Sequence, residues 1–256
     1  GVADRLGTDD PSKLTSMELL AMVPAFIPSQ LGDPEFKKTY GLQYNYMTGA
    51  MANGIGSAEL VIAMSKAGML SSFGAAGMVL SRVEKEIDAI QNALGDKPFA
   101  VNLIHSPSEE ALEREATNLF LEKGITIVEA SAFMDLSPHI VRYRASGLSQ
   151  DADGKVVIKN RVIAKISRTE LAEKFMKPAP ASLLDQLVAE GKITKEEAAY
   201  ARKIPMADDI TVEADSGGHT DRRSLVCLLP AIIALRDELQ SNFQFPAEVR
   251  IGAAGG

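Results

Sequence analysis

The chain has 256 residues, 46% of them apolar and 24% charged, with a formal net charge of −7. This is ordinary globular composition, with room for one large domain or two small ones. The mildly acidic balance leaves no basic footprint for nucleic acid or an anionic membrane. The lone Cys227 rules out an intrachain disulfide and fits a reducing, cytoplasmic setting, and no apolar run approaches the ~20 residues of a membrane span.

The sequence begins at Gly1 without a methionine and stops on "RIGAAGG", a strand-like run into glycines. Both features are expected of a segment of a longer polypeptide. Residues 1–40 carry Pro11, Pro24, Pro28 and Pro34 and one helical candidate at 16–22, and are expected as an irregular N-terminal extension. From there short apolar runs recur at 43–47, 69–73, 99–104, 126–129, 162–166, 210–214 and 249–253, each of a length suited to a strand buried on both faces.

Helical patterns separate these runs. Ser57 is placed to cap a helix carrying Leu60, Val61 and Met64, and Ser81 with Glu84 forms a capping-box pattern before Val83, Ile87, Ile90 and Leu94. Ser108 opens a helix with Leu112, Ala116, Leu119 and Phe120 on one face. Ser137 precedes Pro138 at a first helical position, and Ser167 with Glu170 makes another capping box.

Two insertions break the alternation. Residues 149–160 contain an Asp-Gly turn and read as a surface hairpin. Residues 178–206, delimited by Pro178 and Pro205, read as a helical hairpin with starts at Ser182/Asp185 and Thr194/Glu197. Its Lys/Glu-rich outer face is either solvated or a docking surface. Seven β-α repeats predict a parallel sheet, either open and doubly wound or closed as an eight-stranded β/α barrel. A barrel typically takes ~250 residues, so the expected organisation is a barrel over 41–256 that stops after its seventh strand, with the eighth beyond Gly256.

In such folds sites form at the carboxyl ends of the strands. Small residues cluster there: "TGAMANGIG", "GAAG", "VEAS", "EADSGGHTD" and "GAAGG". They serve tight turns, or they let backbone approach a flat ligand and offer N–H groups to phosphate. No GxGxxG or P-loop is present, nor a GxSxG or a recognisable metal-ligand spacing. Lys165 lies within an apolar strand, where it meets either a ligand at the rim or Glu129 or Glu213 as an ion pair. Asn102 can bind a planar heterocycle or close its own loop. An unperturbed imidazole titrates near neutrality, so His219 can donate a proton, clamp a ligand or cap a helix. His139 falls inside a helix and reads as structural, and Cys227, in "SLVCLLPAIIAL", as buried and inert.

The stretches "MTGAMANGIGSAELVIAMSKAGMLSSFGAAG", "FAVNLIHSP", "AKISRTELAEKFMKPAP" and "IPMADDITVEADSGGHTDRRS" carry a resemblance. Over residues 40–256 the sequence resembles the enoyl reductase subunit of bacterial polyunsaturated fatty acid synthases and the trans-acting enoyl reductases of modular polyketide synthases. Both sit within the nitronate monooxygenase and flavin-dependent enoyl reductase superfamily of FMN barrels. The resemblance implies that Gly49, Ala50, Met51 and Ala52 pack under the flavin ring and that Asn102 and Lys165 meet its polar edge or ribityl chain. It places Glu213 near the flavin and Gly217, Gly218 and His219 facing substrate. Gly252, Gly255 and Gly256 would begin the FMN phosphate grip. NADPH is the implied hydride donor, and the implied substrate is a 2-enoyl thioester on an acyl carrier protein. His219 would protonate the α-carbon or polarise the thioester carbonyl. Other synthase subunits are the implied partners, and a homodimer is one outcome for the oligomeric state. A nitronate monooxygenase is the rival enzyme, and a non-catalytic synthase scaffold the rival of another class.

Overall fold

The computed structural model describes residues 21–215 and 222–255. The strands follow the chain: β1 (Met47–Thr48), β2 (Leu70–Phe73), β3 (Ala100–Ile104) and β4 (Ile127–Ser131). After a hairpin of β5 (Ser149–Gln150) and β6 (Val156–Val157) come β7 (Arg161–Ile166), β8 (Asp209–Glu213) and β9 (Arg250–Ala254). The seven strands outside the hairpin make one sheet in the order β1-β2-β3-β4-β7-β8-β9, every neighbouring pair parallel. Strand order never reverses, so the crossovers all turn one way and the sheet curls as the wall of a β/α barrel. The described arc is open, for β1 and β9 form its two edges.

α1 (Pro34–Tyr40) precedes the sheet, and the crossovers are helical: α2 (Ala58–Lys66), α3 (Leu80–Leu94), α4 (Glu110–Glu122), α5 (Pro138–Ala145), α6 (Thr169–Met176), α7 (Ala181–Ala189), α8 (Lys195–Ala201) and α9 (Leu225–Phe243). Val83, Ile87, Ile90 and Leu94 recur at helical spacing and are the buried stripe of α3. Ser57 and Ser137 cap α2 and α5 as expected, and Thr194 with Glu197 closes a full capping box on α8. The predicted hairpins at 149–160 and 178–206 are present.

Four serine-led starts are corrected. α3 begins after Val79 rather than at Ser81, α4 after Glu109 rather than Ser108, α6 after Arg168 rather than Ser167, and α7 after Pro180 rather than Ser182. None of these four ends carries a side-chain cap bond. The cap motif is short-range, whereas the first turn of a crossover helix is placed by the loop leaving the strand and by the apolar face it must bury. β1 also begins only at Met47, where the chain first pairs with Leu70. Within the supposed irregular extension, α1 is well formed, capped by Asp33 with Pro34 at its first position. The helical candidate at 16–22 lies largely outside the described residues. Cys227 is exposed rather than buried: α9 turns Leu228, Ile232 and Leu239 inward, and Cys227 falls on another face despite its apolar neighbours.

Two cores sandwich the sheet. The larger lies between strands and helices and takes Val101, Leu103, Val128, Val162, Ala164, Ile210 and Val212. The smaller lies inside the curl and takes Tyr40, Leu70, Ala100, Ile127 and Ile163, with Phe36, Leu42 and Met47 against it. Alternation along β3 and β4 sends residues of odd and even position to opposite cores, as the strand period requires.

The inner core sits at the amino ends of the strands, where α1 plugs the base. Tyr40 donates its hydroxyl to Asp209 at 2.5 Å, and Arg250 forks onto the same carboxylate at 2.6 and 2.7 Å while also reaching Thr39 at 3.1 Å. Burial, then the Asp209 charge, pushes the Tyr40 phenol well above its ordinary range, so it stays a donor. Beside it the buried Arg144 guanidinium bonds Asp208, the Asn160 carbonyl and the Pro205 carbonyl.

Candidate functional site

Two residues further along the inner face, the apolar base layer gives way to a polar one. Period two carries Ala100 to Asn102, Ile127 to Glu129, Ile163 to Lys165 and Asp209 through Thr211 to Glu213. These positions face the carboxyl mouth of the curl, where β/α barrels hold their sites.

Glu129 is the anchor of this layer, and its residue is 1% exposed. Its Oε2 accepts the Ala50 N–H at 2.7 Å. A Cβ at Gly49 would lie 3.3 Å from its Oε1, so the loop after β1 rests directly on the carboxylate. The Ser72 hydroxyl faces the same carboxylate without reaching hydrogen-bond geometry. Lys165 pairs with Glu213 at 3.2 Å, realising the ion-pair alternative with one of its two named partners. Asn102 donates to the Glu129 carbonyl at 3.0 Å and to Ser131 at 2.9 Å, so its amide nitrogen ties β3 to β4. Thr211 keeps a buried hydroxyl with no hydrogen-bond partner among the described residues.

Burial pushes the Glu129 carboxyl above its ordinary value of 4.5, against the pull of the Ala50 N–H and the Lys165 charge. Below that ordinary value both folded and unfolded chains hold the proton. As pH rises the unfolded chain releases it first, so the contribution of Glu129 to stability is lost through its raised folded value. Glu129→Gln should therefore flatten the stability profile above pH 4.5, gaining relative to the parent as pH rises toward neutrality. Urea denaturation of both proteins across pH 4–8 measures this, and parallel profiles would contradict it.

Met51 and Ala52 belong to a loop stitched onto the end of β2 through its backbone. Gly54 N–H reaches the Gly74 carbonyl at 3.0 Å, Gly74 N–H the Gly56 carbonyl at 2.9 Å, and Asn53 N–H the Ala76 carbonyl at 2.7 Å. The approach demands glycine at position 74, where a Cβ would stand 1.7 Å from the Met51 carbonyl oxygen. Met51 and Ile104, 42% and 39% exposed, leave an apolar rim above the polar layer.

At the far edge Gly252 lies inside β9 rather than in a following loop, and a Cβ there would meet nothing nearer than 3.9 Å. Gly255 packs against Ala214 with φ +116°. Ala214, Asp215, Arg223, Ser224, Leu225, Ala254 and Gly255 line a cleft of about 250 Å³ at the amino end of α9. A second cleft, of about 440 Å³, opens beyond the ends of β4 and β7 between Phe133, Met134, Arg168, Leu171, Lys174 and Arg223.

Gly217, Gly218, His219 and Gly256 fall outside the described residues. The other two histidines hold structure. His105 Nδ1 lies 2.7 Å from Glu113 Oε2 and its ring stacks on Phe133, while Ser137 donates to the other Glu113 oxygen. His139 lies 3.3 Å from Glu110. Among the described residues no group of His, Cys, Asp and Glu could hold a metal ion.

A flat, polar-edged ring fits this layer. Gly252, where a Cβ would meet nothing nearer than 3.9 Å, leaves open space at one edge, and Lys165, Glu213 and Asn102 are the polar side chains of the layer. Sequence reasoning missed Glu129 as the anchor, although an acid within the run "TIVEAS" was its visible signal.

Comparison with known proteins agrees with the fold. The nitronate monooxygenase family model matches residues 36–256. The chain is 57% identical over 228 residues to a polyunsaturated fatty acid synthase polypeptide of Thraustochytrium sp., covering 88% of this chain and 15% of that protein. It is 48% identical to "Polyketide biosynthesis protein PksE" of Bacillus subtilis, covering 88% and 30%. Among solved structures, the enoyl reductase domain of MlnA from the macrolactin cluster of Bacillus amyloliquefaciens superposes with a TM-score of 0.86 at 39% identity, covering 89% of this chain and 52% of that one. The chain thus spans a minor part of these curated relatives and about half of the solved domain.

Proposed function

The chain belongs to the nitronate monooxygenase family, and from that premise we propose that it forms the barrel of a flavin-dependent enoyl reductase. Its reaction is saturation of the 2,3 double bond of thioesters carried on an acyl carrier protein, within a multi-subunit synthase of polyunsaturated fatty acids or polyketides. The observation that carries this reading is the likeness to a solved enoyl reductase domain over nearly the whole chain. The synthase relatives favour it over nitronate oxidation.

FMN is the cofactor proposed for the polar layer, with NADPH as donor. Gly49, Ala50, Met51 and Ala52 would lie under the ring, the first two held at their height by Glu129. Lys165, paired with Glu213, offers an ammonium to the electron-rich edge of the ring, and Asn102 fixes the neighbouring strand ends. Gly252 and Gly255, with the amino end of α9, suit the phosphate. Bound there, FMN would supply hydride transfer from the nicotinamide to the β-carbon of the enoyl thioester. The polypeptide orients both partners, keeps water from the floor through the apolar rim of Met51 and Ile104, and delivers a proton to the α-carbon. His219, with Gly217 and Gly218 before it, is the donor proposed for that proton.

The full-length protein bearing this barrel provides the test. It should oxidise NADPH with a crotonyl thioester and show no oxygen uptake with a propyl nitronate. Oxygen uptake with the nitronate and no thioester-dependent oxidation would transfer the assignment to nitronate chemistry. Purified protein without flavin absorbance would leave a scaffold role in its place.

A further inference from the structure

The larger cleft, about 440 Å³, is separate from the polar layer and lies outside the ends of β4 and β7. Three cations reach it from two segments: Arg168 at the start of α6 and Lys174 in its last turn, nearly two turns further on, and Arg223 ahead of α9. Glu170 is the acid among its lining residues, and Asp135 pairs with Lys174 at 2.8 Å from the rim. Both members of that pair are well exposed, so the pairing is weak and an incoming anion can displace it. The wall is apolar and fixed: Phe133 stacks on His105 at 5.0 Å and meets the edge of Phe175 at 5.7 Å, with Leu171 and Met134 beside it.

We infer that this cleft recognises a phosphate ester on a reactant, set back from the reacting end of the molecule. Arginine and lysine converging on one concavity match phosphate oxygens, the guanidinium by its planar fork and the ammonium as a point charge. The apolar wall suits the uncharged stretch of a long arm leading from that phosphate toward the barrel mouth. The inference rests on the enoyl reductase reading, which supplies two reactants with such an ester: the phosphopantetheine arm of the thioester substrate and the nicotinamide dinucleotide.

Steady-state kinetics of the flavin-loaded full-length protein separate these sources. Crotonyl pantetheine and crotonyl 4′-phosphopantetheine differ only by the phosphate. In the double variant Arg168→Gln/Lys174→Gln, the KM for the phosphorylated thioester should rise about tenfold. The KM for crotonyl pantetheine, and kcat for both, should stay within about twofold, because neither side chain belongs to the polar layer. Arg223 is left intact, since it also lines the cleft proposed for the cofactor phosphate. Lys174→Gln alone, at an exposed position, gives a partial rise even if the double variant folds poorly. A rise confined to the KM for NADPH supports the same cleft chemistry and assigns the phosphate to the donor. Equal rises for the two thioesters, or no rise for any reactant, overturn the inference and leave the enoyl reductase reading untouched. If the parent protein reduces neither thioester, that reading fails by itself. Calorimetric binding of 4′-phosphopantetheine and of NADPH then decides the cleft: weaker binding of either by the double variant supports it, and equal affinity for both overturns it.

Discussion

Arg144→Ala should lower the unfolding free energy by about 3–5 kcal/mol, the range for removing one partner of a buried ion pair. Arg144 is 1% exposed, and its guanidinium bonds the Asp208 carboxylate and the carbonyls of Asn160 and Pro205. Asp208 keeps Arg161 at 2.9 Å and the Val162 N–H at 3.1 Å, which softens the loss of charge balance. The two carbonyls have no such replacement among the described residues, and a buried acceptor left unmade carries its full desolvation penalty. Arg144→Lys retains charge without the fork and should fall between. Urea denaturation measures all three proteins, and a loss below about 1 kcal/mol would return Arg144 to the range of an ordinary exposed pair.

Gly74→Ala should have the largest effect on the site. The added methyl would lie 1.7 Å from the Met51 carbonyl oxygen, a backbone atom that moves only with its loop. Overpacking of this kind costs about 1–3 kcal/mol. That loop continues directly from Gly49 and Ala50, so its displacement should lift Ala50 from Glu129 and, if the proposed site holds FMN, weaken its binding by about tenfold or more. Gly191→Ala is the control: Gly191 has φ +67° with open space around it, so alanine there adds backbone strain of about 1–2 kcal/mol in the distant hairpin. Equal losses of FMN affinity in the two variants would show that Gly74 acts through stability alone. Fluorescence titration with FMN reads the difference.

The barrel wall was legible because its strands are buried on both faces and so appear as short, uninterrupted apolar runs such as "FAVNLI" and "VIAKI". The register was less so. Ser81, Ser108, Ser167 and Ser182 each satisfy a local capping pattern, yet the helices start elsewhere because the preceding strands and the buried stripes fix the first turn. Lys165 was legible as a charge needing an answer, and Glu213 is that answer. Glu129 hid as a partner when it is the post that supports the first loop. Arg144 and Asp208, 64 residues apart, announced themselves only as an arginine in an apolar helix and an acid before a strand. No local pattern links them. Cys227 has apolar neighbours in the sequence and is exposed all the same, because helix phase decides which face turns inward.

The plug beneath the barrel also sets a schedule for the nascent chain. Tyr40 finds Asp209 across 169 residues, and Thr39 finds Arg250 across 211. At synthesis rates of about 5–20 residues per second, the first of these partners trails the tyrosine by roughly 8 to 34 s. Throughout that interval Phe36 and Tyr40 must wait for the floor they will seal. Contacts between such distant positions form late and slow the folding of the whole. The base of the described arc therefore cannot close before Arg250 has been made, and translation sets that earliest moment.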